Sequence, residues 1–248
     1  AISTCDKAGE WIQALQLFRE MGDGFVERDT ITYNSVVSAC KKGGEMLRII
    51  QLLGEMADDS VPTDVVTYGA ALSSCANDGE WLLAFYLFRQ MVDTCVKGNT
   101  ITCNAVVSAC GKDGAWAFAS QLLFDMEAGS VEKSIITYSA AVSACASGGE
   151  WLRALKLFRE IGDVRLHTDV IAYNGAVSAC EKGGAWAHAL QLFREMADNR
   201  VPTNTITYNA AVSACEKAHE WLRAVQLLRE MSDVQVKRNT VTYNAAVS

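Results

Sequence analysis

With 248 residues the chain has room for one large domain or two small ones, and half of its residues are apolar, so core material is ample. A formal charge of −7 argues against an indiscriminate nucleic-acid binder, which carries a basic excess. No apolar run approaches the ~20 residues that a membrane-spanning helix needs. The first residue is Ala1 rather than a methionine, so the chain reads as a piece of something longer, in which the lack of a visible targeting segment says little.

The chain enters partway through a helix, in a partial unit covering 1–29. Complete units of 35 residues follow at 30–64, 65–99, 100–134, 135–169, 170–204 and 205–239, and a second partial unit fills 240–248. Three residue types mark this period independently. Cys5, Cys40, Cys75, Cys110, Cys145, Cys180 and Cys215 keep it without slippage. So do Trp11, Trp81, Trp116, Trp151, Trp186 and Trp221, with Met46 in the one gap, and Tyr33, Tyr68, Tyr138, Tyr173, Tyr208 and Tyr243, with Cys103 in theirs.

Within each unit the elements come in one order. A polar residue stands first: Asp29, Asp64, Asn99, Ser134, Asp169 or Asn204. Each is a good N-cap, whose side-chain oxygen can accept from the free N–H groups of a first helical turn. Helix A follows. In 205–239 it reads TITYNAAVSACEK, with Tyr208, Ala211, Val212 and Cys215 at i, i+3, i+4 and i+7 on one face. A short turn comes next, at Gly43-Gly44, Gly148-Gly149, Gly183-Gly184 and Ala218-His219. Helix B, EWLRAVQLLREM in the same unit, places Trp221, Ala224, Val225, Leu228 and Met231 at helical spacing, with Arg229 and Glu230 facing water.

One such hairpin cannot bury both of its apolar faces, whereas stacked hairpins can. The expected fold is therefore all-α: a right-handed α-solenoid of antiparallel helix-turn-helix units, forming a single array over 1–248. The tryptophans read as packing between hairpins. Neither end carries a polar capping repeat, so further repeats or domains are expected to flank the array.

The cysteines read as small buried hydrophobes. Copies one repeat apart would stand at the ~8–10 Å of neighbouring helices, beyond the ~7 Å that a disulfide spans. No C-x-x-C pair occurs, and Cys95 and Cys103 have no partnering histidine cluster. His167, His188 and His219 fall at three different repeat positions, and no serine or cysteine has an activating neighbour in fixed relation. The segment thus reads as no enzyme, with no metal, cofactor or small-molecule substrate expected.

The stretch TYNAAVSACEK, a turn, and EWLRAVQLLREM resembles the pentatricopeptide repeat: the length of 35, the Tyr-Asn early in helix A and the Arg-Glu-Met closing helix B are shared. The resemblance covers essentially the whole chain. It implies sequence-selective binding of single-stranded RNA, one base per repeat, in organellar RNA processing, stability, editing or translation, and hence a mitochondrion or chloroplast. Other proteins would be met through flanking domains, and no membrane is implied.

In that family one base-discriminating residue follows the Tyr position and the other ends the same repeat. The corresponding pairs are Asn34 with Asp64, Gly69 with Asn99, Asn104 with Ser134, Ser139 with Asp169, Asn174 with Asn204, and Asn209 with Asn239; Asn244 opens a further pair. Family usage reads these as a target of the form 5′-U-N-C-G-Y-Y-3′. Gly69 offers no side chain and leaves its base unread. Asn is a mediocre residue inside a helix, so its recurrence after Tyr favours reading over stability, whereas the cap residues would be expected with or without RNA.

Two further sets map across. Branched aliphatics that flank bases in the family match Ile31, Val66, Ile101, Ile136, Ile171, Ile206 and Val241, and an ordinary core role is the alternative. Lysines that meet phosphate match Lys7, Lys42, Lys112, Lys182 and Lys217, with Asn77 and Ser147 departing; pairing with the helix C-terminal dipole is their alternative. A protein-binding helical scaffold, which the acidic charge favours, is the second functional reading.

Overall fold

A computed structural model describes residues 2–240 and 242. Among them are fourteen α-helices and no strand. The A helices are α1 (Ile2–Ala8), α3 (Thr30–Gly43), α5 (Val65–Asp78), α7 (Thr100–Asp113), α9 (Ile135–Ser147), α11 (Val170–Lys182) and α13 (Thr205–Lys217). The B helices are α2 (Trp11–Asp23), α4 (Met46–Asp58), α6 (Trp81–Asp93), α8 (Trp116–Ala128), α10 (Trp151–Asp163), α12 (Trp186–Asp198) and α14 (Trp221–Asp233). The chain divides into two compact units, Ala1–Ala109 and Cys110–Ser248, with the division inside α7.

Each unit is a stack of helical hairpins. In the first, α1 packs on α3 and α3 on α5, while α2 and α4 each touch the A helix that follows them. In the second, α9, α11 and α13 form the row of A helices, with α8, α10 and α12 each contacting the next A helix. The A row is the interior. Tyr33, Val36, Val37, Ala39 and Cys40 of α3 are buried, as are Tyr208, Ala211, Val212, Ala214 and Cys215 of α13. Small Ala, Cys and Ser side chains let neighbouring A helices approach closely. Burial of each large side chain, such as Leu52, Met56, Leu122 or Ile161, contributes roughly 1.5–3 kcal/mol.

Helix B departs from its sequence reading by one step around the helix. In α14 the buried residues are Ala224, Leu227 and Met231, while Trp221 is 67% exposed and Val225 also lies out. At Trp11, Trp116 and Trp151 the indole lies sideways over the turn of the next hairpin. A β-carbon at Gly43 would sit 2.3 Å from Trp11 Cδ1, and at Gly183 2.2 Å from Trp151 Cδ1, so a side chain at either place would force the indole to move. Arg153 and Arg223 cover the other reach of Trp116 and Trp186, 4.5 and 4.7 Å from the rings. The inward contact comes instead from a phenylalanine: Phe18, Phe158 and Phe193 each meet the next repeat's tyrosine edge-on, with centroids 4.8 Å apart.

The turns explain the glycine punctuation. Gly9, Gly44, Gly79, Gly114, Gly149 and Gly184 end helix A in the left-handed region, and His219 takes the same conformation at φ 59°. Helix B ends the same way without any glycine: Phe25, Ser60, Cys95, Ser130, Arg165, Arg200 and Gln235 all have φ between 50° and 58°.

No cysteine is bonded to another, and burial pushes the thiols of Cys75 and Cys110 up to about 12, which keeps them protonated and inert. None of the described helices is long and apolar enough to cross a membrane.

Candidate nucleic-acid interface

The last residue of each unit is also the N-cap of the next helix A, and this double position builds the site. Asp64 is extended at φ −125°, and its Oδ1 accepts from the backbone N–H groups of Val66 and Thr67 at 3.0 and 2.9 Å. Helix capping therefore fixes where that oxygen points. Asn34, on the preceding helix A, turns its amide to the same carboxylate: Nδ2 donates to Oδ1 at 3.1 Å and to Oδ2 at 3.2 Å. Burial pushes the Asp64 carboxyl up, but the hydrogen bonds from Thr67 and Asn34 outweigh it and hold the group below the usual carboxylate value.

Residues thirty apart are brought together in the same way down the chain. Ser139 Oγ donates to Asp169 Oδ1 at 3.2 Å, and Asn209 Nδ2 donates to Asn239 Oδ1 at 3.2 Å. Asn174 and Asn204 meet through Thr207, whose hydroxyl oxygen lies 2.6 Å from Asn174 Oδ1 and 3.0 Å from Asn204 Oδ1. At Gly69 there is room for a side chain, since an added β-carbon would come no nearer than 3.8 Å to Thr102 Cγ2. Asn104 is half-buried in the first unit and Ser134 half-buried in the second. Asn244 and Val241 lie outside the described residues.

The aliphatic set is not core. Ile31, Val66, Ile101, Ile136, Ile171 and Ile206 are between 58% and 74% exposed, although each sits within three residues of a buried tyrosine or cysteine. In each unit they form a row of branched apolar side chains in water, beside the paired polar residues.

The five lysines all reach the surface, and Lys42 and Lys217 are engaged by the preceding helix A. Lys42 Nζ is 2.7 Å from the Asp6 carbonyl and 3.0 Å from its carboxylate, and Lys217 pairs with Glu181. Both links tie one helix A to the helix A before it. An anion at either lysine must compete with a carboxylate already in place.

The threonine at the third position of helix A escaped the sequence reading. Thr67, Thr102, Thr137, Thr207 and Thr242 are all at most 1% exposed. Their signal was available: a hydroxyl residue recurring in register beside the core tyrosine must find a partner when buried, and only Ala172 breaks the series among the complete units after the first.

Profiles described as PPR repeat match residues 31–61, 101–131, 136–164 and 206–236, one described as pentatricopeptide repeat domain matches 51–113, and one described as PPR repeat family matches 168–217. The chain belongs to the pentatricopeptide repeat family. No curated protein matches it in a sequence comparison. Among solved structures, the pentatricopeptide repeat protein PPR10 from maize is similar over 100% of this chain, at 26% identity and a TM-score of 0.68. This chain covers only 35% of that protein, about a third of its length. PPR10 solved in complex with an 18-nucleotide psaJ RNA element matches at 23% identity and 0.62, covering 100% of this chain and 40% of that one. Nuclear proteinaceous RNase P 2 from A. thaliana matches over 76% of this chain and 43% of its own, at 12% identity and 0.66, a likeness of fold alone. The pentatricopeptide hairpin accounts for the two apolar faces; the paired residues at its edge are what vary from repeat to repeat. Among the described residues no group of His, Cys, Asp and Glu is placed to hold a metal.

Proposed function

We propose that residues 1–248 act as a single pentatricopeptide array that binds single-stranded RNA sequence-selectively, one base per repeat, within organellar RNA metabolism of a mitochondrion or chloroplast. The observation that carries this reading is the recurrent meeting of an Asn or Ser with the cap residue thirty positions on, next to an exposed branched aliphatic. Exposed apolar side chains in register suit the flat faces of bases, and the polar pairs beside them suit base edges. A related protein, maize PPR10, has been solved with an RNA element bound. The reading pairs are Asn34–Asp64 through Asn209–Asn239, with Gly69–Asn99 indifferent, and the target has the form 5′-U-N-C-G-Y-Y-3′. This segment contributes binding rather than catalysis.

The test is selection from a randomised RNA pool at low salt. Enrichment of that pattern is the expected result, with a change at the first base alone when Asn34→Thr is used. A pool that shows no enrichment overturns the reading. That outcome would favour a protein-binding scaffold, to which the charge of −7 and the ion pairs at Lys42 and Lys217 lend support. With few free lysines, binding should depend only shallowly on salt.

A further inference from the structure

The buried threonines contact the residues proposed to read bases. Thr67 Oγ1 lies 2.6 Å from Asn34 Oδ1, Thr207 Oγ1 2.6 Å from Asn174 Oδ1, and Thr242 Oγ1 2.6 Å from Asn209 Oδ1. Each threonine belongs to the hairpin after the one that carries the asparagine. Thr102 provides the contrast. Its upstream counterpart is Gly69, which has no amide, and the Thr102 hydroxyl donates instead to the carbonyl of its own cap, Asn99, at 2.9 Å. In these four the hydroxyl follows the reader: it goes to the amide oxygen of Asn34, Asn174 and Asn209 and turns back to the backbone opposite Gly69.

The consequence is chemical. An Asn side chain can lie either way round, exchanging its NH2 donor for its carbonyl acceptor. The threonine hydroxyl has one proton to give, and the amide oxygen at 2.6 Å is nearer than the cap oxygen at 2.9–3.0 Å, so donation to the amide holds that end as the oxygen. The cap oxygen, already fixed by the N–H of the next helix, accepts from the other end and holds it as nitrogen, as in Asn34 to Asp64. Uracil and cytosine differ in just this order, since the donor and acceptor at ring positions 3 and 4 are interchanged between them. An amide free to turn could satisfy both. At Asn174 the anchor is Thr207 alone, because no hydrogen bond joins Asn174 to Asn204 among the described residues.

We propose that the threonine at the third position of helix A is a positioning residue for the preceding repeat: Thr67, Thr207 and Thr242 set the amide orientation of Asn34, Asn174 and Asn209, and thereby which pyrimidine each accepts. This rests on the RNA-reading function proposed above. Thr207 carries more of the selectivity than Thr67, whose asparagine is also held by the Asp64 carboxylate.

The test measures the affinity of the full chain for RNAs of the form above that differ only as U or C at one position. Thr207→Val, which keeps the shape and removes the hydroxyl, should change the U/C ratio at the fifth base by about threefold or more, the worth of one hydrogen bond. Thr67→Val should do so less at the first base, and Thr207→Ser should restore the wild-type ratio. Thr102→Val is the internal control. It loses the same cap contact and should lower thermal stability like the others, with no base ratio changed. If the wild type discriminates and Thr207→Val keeps its ratio, or if Thr102→Val shifts ratios equally, the threonines are structural only and the inference is overturned. A wild type that binds RNA without discriminating at either base overturns the reading function and this inference with it.

Discussion

Units 30–64 and 65–99 lie side by side in the first half of the chain and share nearly every structural device. Each has a buried tyrosine, a glycine ending helix A in the left-handed region, and a polar cap that starts the next helix. They differ where one has Asn34 and the other Gly69. In the first, amide, carboxylate and Thr67 hydroxyl form a closed set of hydrogen bonds. In the second, the same cap and threonine satisfy each other and the backbone, at 3.0 and 2.9 Å. The hairpin is therefore indifferent to the residue after tyrosine, and that position is free to carry specificity without a cost in fold.

The comparison can be broken most forcefully by making the first unit like the second. Asn34→Gly should abolish selectivity at the first base, on the order of a tenfold loss of discrimination, while helix content is unchanged by circular dichroism. The next largest effect is expected from Asp64→Ala, which removes both the cap and the partner of Asn34. It should cost about 1 kcal/mol in chemical denaturation, and Asn99→Ala should cost a similar amount without changing base selectivity.

Acid separates the same two caps. The folded Asp64 carboxyl titrates below its ordinary value of 3.8, so its contribution is complete above that value and is lost as pH falls through the lower folded pKa. Asp64→Asn should flatten the loss of thermal stability on acidification below about pH 4, whereas Asn99, which does not titrate, contributes no such dependence.

The turns offer a smaller contrast of the same kind. His219 occupies at φ 59° the place of six glycines that end the other A helices. Relief of left-handed strain is partly offset by the greater freedom of an unfolded glycine, so His219→Gly should stabilise by about 0.5–1 kcal/mol in thermal melts. The smallest effect concerns the paired lysines. Asp6→Asn should remove the carboxylate that pairs with Lys42 while leaving its bond to the Asp6 carbonyl, and should steepen the salt dependence of RNA binding by less than one counterion.

Much of this was legible in the residues. The period, the caps and the buried face of helix A follow from Tyr, Cys and Asp/Asn/Ser recurring in register, because a helix face and a cap are local patterns. Helix B was legible only in part. Trp221 and Val225 sit at core spacing yet lie out, and at Trp11, Trp116 and Trp151 the indole packs sideways against the following turn; periodicity cannot tell sideways from inward. Ile31 and its equivalents were ambiguous for the same reason, lying one step from the core stripe and belonging to neither side until the stack is built. The partners of Lys42 and Lys217 come from the previous hairpin, and the partner of Thr67 is a residue thirty-three positions earlier. Those contacts exist only once one repeat is set beside another.

The central claim is that a side chain after the tyrosine, held by the following cap, reads one base. It is tested most directly by putting one where none exists. Four RNAs differing only at the second base should bind the wild-type chain equally, because Gly69 has nothing to read with. Gly69→Asn should make the chain prefer a pyrimidine at that base and leave its preference at the first base intact. Equal binding of all four by the variant, or a change at some other base, would contradict the account.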